Sequence, residues 1–136
     1  MSKGRVYSKT YADTLMRERM VKEVGAFADH FLNEELTTPT LVCQDFGIDF
    51  KTTKALRLAK TSVSFETLRK FCYVFAFYID KKTKEAEQDK NLVRRKVRLE
   101  ECDKITEAFK AIYGFEATFV LELCDKHKDL REIFKR

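Results

Sequence analysis

Apolar residues recur along most of this chain at intervals near 3.6, with charged residues between them, the pattern of helices that each bury one stripe. The first stripe is Tyr11, Leu15, Met20, Val24, Phe27 and Phe31, and it predicts a helix from a cap at Thr10 to about Asn33. Met1 to Ser8 lack the pattern and include Gly4, so residues 1–9 are expected to form a flexible tail. Thr38 followed by Pro39 opens a second helix, since a proline at the first helical position gives up no hydrogen bond. Leu41, Val42, Cys43 and Phe46 supply its apolar face, and Gly47 stops it. Asp49 then caps a short helix over Phe50 to Ala59, with Thr53 and Leu56 inward and Lys51, Lys54, Arg57 and Lys60 toward water. Ser64 caps a fourth helix whose buried stripe is Leu68, Phe71, Cys72 and Phe75.

The charged stretch Asp80 to Lys84 is the expected joint between two halves. After it, Val93, Val97, Cys102, Ile105, Phe109 and Ile112 predict a long helix ending at Gly114. A last helix from Glu116 presents Phe119, Val120, Leu123, Cys124, His127, Leu130 and Phe134 along one side. No strand-like alternation occurs, so the expected fold class is all-α. It divides into the tail at 1–9, a helical domain at 10–80 and a C-terminal helical hairpin at 81–136.

Composition narrows the functional classes. The 136 residues are 44% hydrophobic and 36% charged, with one Pro and no Trp, which suits a compact helical chain. The longest apolar run, Phe71 to Ile79, is under half of the roughly 20 residues a spanning helix needs. No membrane partner is expected, and no charged start followed by an apolar stretch marks the chain for export. Cys43, Cys72, Cys102 and Cys124 lie far apart, as reduced thiols of a cytoplasmic protein do, rather than in the close pairs of zinc sites. His30 and His127 have no Cys or second His at ligand spacing, and no nucleophile elbow or glycine-rich phosphate loop is present. Neither catalytic residues nor a metal or cofactor are therefore nominated, and an enzyme is not expected.

Lys and Arg exceed Asp and Glu by 27 to 22, a net charge of +5 that favours a polyanionic partner without requiring one. Local clustering matters more. No acid interrupts the cations between Asp49 and Glu66, whereas Arg94-Arg95-Lys96-Val97-Arg98 on a helix points its charges in several directions and reads as a solvated face.

The stretch Val42-Cys43-Gln44-Asp45-Phe46-Gly47-Ile48-Asp49 resembles the "L-A-x-x-L-G-V-S" step of the lambda-repressor-like, or Cro/XRE-type, helix-turn-helix family. Ser64-Phe65-Glu66-Thr67-Leu68-Arg69-Lys70-Phe71-Cys72 resembles that family's "S-L-E-T-L-x-K-I-A" step, and the likeness spans residues about 25–78. Leu56 falls at the apolar position of the recognition helix. Ala59 stands where the family often has Gly, and Pro39 where it usually has a phosphate-holding Gln.

The resemblance implies a sequence-specific regulator of transcription whose recognition helix enters the major groove of double-stranded DNA. Carried over by position, Phe50, Lys51 and Lys54 approach bases, while Thr38, Thr40, Arg57 and Lys60 contact phosphate. It also implies a homodimer, because one copy reads half a site, and residues 84–136 are the expected dimerising part unless they fold back on the chain's own core. The alternative is a protein-binding adaptor or inhibitor that reuses the scaffold, motivated by Phe50 on the outer helix and by the aromatic run from Phe71 to Tyr78. Either role suits a small regulator of a phage or mobile element.

Overall fold

A computed structural model describes residues 2–32, 36–60 and 62–133, with side chains from residue 14 onward. Among the described residues the fold is all-α, in the order α1 Ser2–Phe31, α2 Pro39–Phe46, α3 Phe50–Arg57, α4 Phe65–Glu87, α5 Leu92–Tyr113, α6 Phe115–Asp125 and α7 Leu130–Ile133. No described helix is long and apolar enough to cross a membrane.

The core forms around α4, whose residues from Phe71 to Ala76 are all buried. Such all-round burial needs partners on every side. Phe75 meets Phe27 of α1 edge-on at 4.7 Å between ring centroids and Phe109 of α5 at 6.4 Å, and Phe71 lies 5.7 Å from Phe75. Ile105, Phe109 and Tyr113 of α5, Ala117, Val120 and Cys124 of α6 and Leu130 of α7 join the same cluster. The Tyr113 hydroxyl donates to the Leu68 carbonyl at 2.7 Å, which satisfies a buried phenol. Of the two placements open to the C-terminal segment, its buried stripe is thus taken up by the chain's own core.

Local chemistry sets the helix starts. Thr38, Asp49, Asn91 and Ser64 each accept from a backbone N–H three residues on, at 2.7 to 3.3 Å, and each cap contributes about 1 kcal/mol. Pro39 occupies the first turn of α2. Gly47 ends α2 with φ 68°, a left-handed conformation in which its lack of a Cβ avoids a clash with the preceding carbonyl.

Several expectations need correction. The backbone of α1 is helical from Ser2, so residues 2–9 of the expected tail are helical; Gly4 lowers helix propensity by about 1 kcal/mol but does not break a 30-residue run. The expected end at Asn33 lies outside the described residues. Leu15, placed on the buried stripe, is exposed, the side chain of Tyr11 lies outside the described residues, and from Leu15 onward the first fully buried residue of α1 is Val21. The joint expected at Asp80–Lys84 falls inside α4. The stretch has no Gly or Pro and contains three lysines, which are good helix formers, Lys84 pairs with Asp80 at 2.8 Å, and the Thr83 hydroxyl donates to the Ile79 carbonyl.

The chain instead turns at Asp89. Its carboxylate is 2% exposed and accepts from Arg94 Nε at 2.6 Å, Arg94 Nη2 at 2.9 Å, Arg98 Nη1 at 3.1 Å and the Asn91 N–H at 3.0 Å. Two of the cations read as a solvated face therefore close a corner. With Arg94 and Arg98 directed at Asp89, Val93 and Val97 lie about 100° further round the helix and are exposed rather than buried. The last helix is also divided: His127 takes φ 60° between α6 and α7, Phe119 and His127 are exposed, and Phe134 lies outside the described residues.

Two predictions follow from these contacts. The hydrogen bonds from Arg94 and Asn91, and then the one from Arg98, hold the Asp89 carboxyl far below the usual carboxylate range. In the unfolded chain this carboxyl takes a proton near pH 4, so its contribution is fully present above that pH and is lost as acid drives the folded form toward its depressed pKa. Asp89→Asn is therefore expected to lower Tm at pH 7 and to flatten the fall of Tm between pH 5 and 2; parallel profiles for the two proteins would contradict the clamp. The second concerns Gly25, where an added Cβ would stand 2.5 Å from the Leu56 carbonyl oxygen. Glycine to alanine inside a helix ordinarily stabilises by about 1 kcal/mol. Gly25→Ala is expected to destabilise by about 1–3 kcal/mol in urea melts, and a gain in stability would contradict the α1–α3 contact.

Candidate nucleic-acid interface

Helix α3 is too short to persist alone, so its position is a tertiary matter. Leu56 is its buried anchor, packed with Val42, Phe46 and Ile48 in the core; truncating such a residue to Ala costs about 2–5 kcal/mol. Gly47, Ile48 and Asp49 separate α2 from α3, and α1 crosses the far end of α3 at Gly25. Ala59 adopts φ 52° directly after this contact, a left-handed conformation that costs a non-glycine residue about 1 kcal/mol.

The support of α2 comes from α4 and α7. The Tyr78 hydroxyl donates to Asp45, and Arg131 of α7 reaches the same carboxylate at 3.9 Å while its guanidinium lies 5.0 Å over the Phe77 ring. Burial, and then the Asp45 hydrogen bond, pushes the Tyr78 phenol well above its ordinary pKa. The helical step from α2 to α3 is thus clamped from both ends of the sequence.

The outward face of α3 carries Phe50, 55% exposed, with Lys51 and Lys54 also exposed. No acid lies within α3. Asp49 sits at its start, and the Thr52 hydroxyl and N–H hold that carboxyl below its ordinary pKa, so the cap is charged at neutral pH. Thr40 and Lys60 are exposed; the Thr38 hydroxyl is occupied as the α2 cap, and Lys60 lies beyond the end of α3.

Arg57 differs from the position expected of a free phosphate contact. Its Nε and Nη2 both lie 3.3 Å from Asp29 Oδ1 of α1, which draws the guanidinium toward the body of the molecule. The sequence does not announce Asp29, because the pairing spans 28 residues and has no local spacing.

Phe50, Lys54 and Arg57 gather with Asp29, Pro39 and Leu58 around a hollow of about 380 Å³, with Thr53 also in its lining. Lys51 and Lys60 are not part of that lining. Leu58, 58% exposed, is a second residue that sequence reasoning left out, since it falls outside every helical stripe.

Thiol chemistry is muted here. All four cysteines are free; burial raises the Cys72 pKa and pushes Cys124 up to about 12, which keeps both protonated. Among the described residues no three His, Cys, Asp or Glu side chains converge as a metal site would require. No family model, curated protein or solved structure matches this chain.

Proposed function

We propose that the chain is a DNA-binding regulator of transcription that lays α3 in the major groove, in the manner of the lambda-repressor-like helix-turn-helix family. The observation that carries this reading is the exposed face of Phe50, Lys51 and Lys54 on an acid-free helix that follows a three-residue turn. Lys51 and Lys54 supply charge near the groove floor, and the Phe50 ring can meet a thymine methyl. Lys60 and Thr40, on neighbouring segments, are placed for phosphate, while Arg57 contributes only after parting from Asp29. Free cysteines suit a cytoplasmic setting, and no catalytic role is assigned.

Reading a full site calls for a second copy. With the buried stripe of α5 to α7 already engaged, the dimer surface falls to exposed apolar residues of the C-terminal half, of which Phe115 at 96% exposure is the most prominent. A second reading, a protein-binding adaptor, is favoured by one specific observation: Phe50 and Leu58 give the outer side of α3 an apolar character beside its cations.

Fluorescence anisotropy with random-sequence duplex separates the two. DNA binding predicts a Kd of about 10⁻⁴–10⁻⁶ M that weakens steeply with salt, and a loss of at least about tenfold in Lys51→Glu/Lys54→Glu. Asp29→Asn frees Arg57 and is expected to tighten binding several-fold and to steepen the salt slope by about one. Absence of binding at tens of micromolar protein in low salt would overturn the DNA reading and favour the adaptor.

A further inference from the structure

The hollow beside α3 has features that a groove for the DNA backbone does not need. Its volume of about 380 Å³ lies within the range of small-molecule sites, roughly 300–1,000 Å³. Pro39, Phe50 and Leu58 give it carbon walls, one of them an aromatic face. Two cations and one carboxylate line it, for a net charge of +1. Asp29 engages Nε and Nη2 of Arg57, and Lys54 has no ion-pair partner among the described residues.

Thr53, in the same lining, is 1% exposed, and its hydroxyl has no hydrogen-bond partner among the described residues. Thr83 and Thr106, also inside helices, donate to the carbonyl four residues back at 2.8 Å. A buried hydroxyl without a partner is destabilising, and a polar group entering the hollow beside Thr53 offers it one acceptor.

We propose that this hollow binds a small aromatic monocarboxylate. The ring lies against Phe50, Pro39 and Leu58, and the carboxylate pairs with Lys54 within reach of Thr53. A single excess positive charge is neutralised by one carboxylate, which disfavours di- and triphosphates, and the volume admits one or two fused rings. Binding is a property of these residues alone. Competition with duplex, by covering Phe50 and Lys54, rests in addition on the DNA reading.

The test uses the full chain, sodium naphthoate as probe and naphthalenemethanol as its uncharged counterpart, followed by calorimetry and by backbone amide shifts. Saturable naphthoate binding is expected with a Kd below about 1 mM, with the largest shifts at Asp29 and from Thr53 to Leu58. The alcohol, and naphthoate with Lys54→Gln, are expected to bind about tenfold more weakly. Because Lys54 is exposed, that variant keeps the fold; Leu58→Ala, also exposed, tests the apolar wall separately. No saturation at several millimolar, equal affinity for acid and alcohol, or shifts centred on Phe115 and Phe119 would overturn the proposal. Naphthoate binding that duplex does not displace leaves the site standing and counts against DNA binding at α3.

Discussion

The packing of Phe27, Phe75 and Phe109 ties the first, fourth and fifth helices into one body. Phe75 stands at its centre, wholly buried, and helices from both ends of the sequence meet it. Aromatic pairs in tilted and edge-on arrangements add about 0.5–1.5 kcal/mol each beyond the area they bury. Two features depend on this contact. It anchors α1, whose Gly25 presses on the end of α3, and the same α4 carries at Phe77 the guanidinium of Arg131, which reaches Asp45 of α2. An eight-residue helix that could not form alone is thereby held with one face outward.

The electrostatics of that face follow from how it is mounted. Asp49 caps α3 with a carboxylate, which leaves a negative charge at the helix start, with the cationic Lys51 and Lys54 following it. Arg57 is turned back by Asp29 and belongs as much to the α1–α3 contact as to the surface. Between these groups the apolar hollow opens. The same few residues therefore offer charge for a polyanion and carbon surface for a ring, and the two proposals about α3 share one physical origin.

Features written in local chemistry were legible in the sequence. Thr38 with Pro39, Gly47, Asp49 and Ser64 mark their helix ends because each acts within three or four residues. The burial of Leu56, Phe71 and Phe75 follows from periodicity. Contacts between distant residues were not legible. The turn after α4 depends on two arginines converging on Asp89 from the next helix, and nothing in Asp80–Lys84 itself prefers a break. Asp29 enters the α3 face through space, and the left-handed conformation at His127, with Lys128 donating to the Leu123 carbonyl, divides a stripe that periodicity draws as continuous. For the candidate site, Phe50, Lys51 and Lys54 were legible as an exposed face, while the hollow and its unpaired Thr53 hydroxyl emerge only once α1, α2 and α3 are assembled.

The most direct test of α3 as the DNA-contacting element is photocross-linking of the full chain to duplex in which iododeoxyuridine replaces thymidine, with the adducts mapped by mass spectrometry. If the helix enters the major groove, the halogen at the thymine methyl position meets the Phe50 ring, and the dominant adduct lies on the peptide that contains Phe50. Adducts centred on Phe115 or Phe119, or none despite measurable binding, would place the contact elsewhere and contradict the role given to α3.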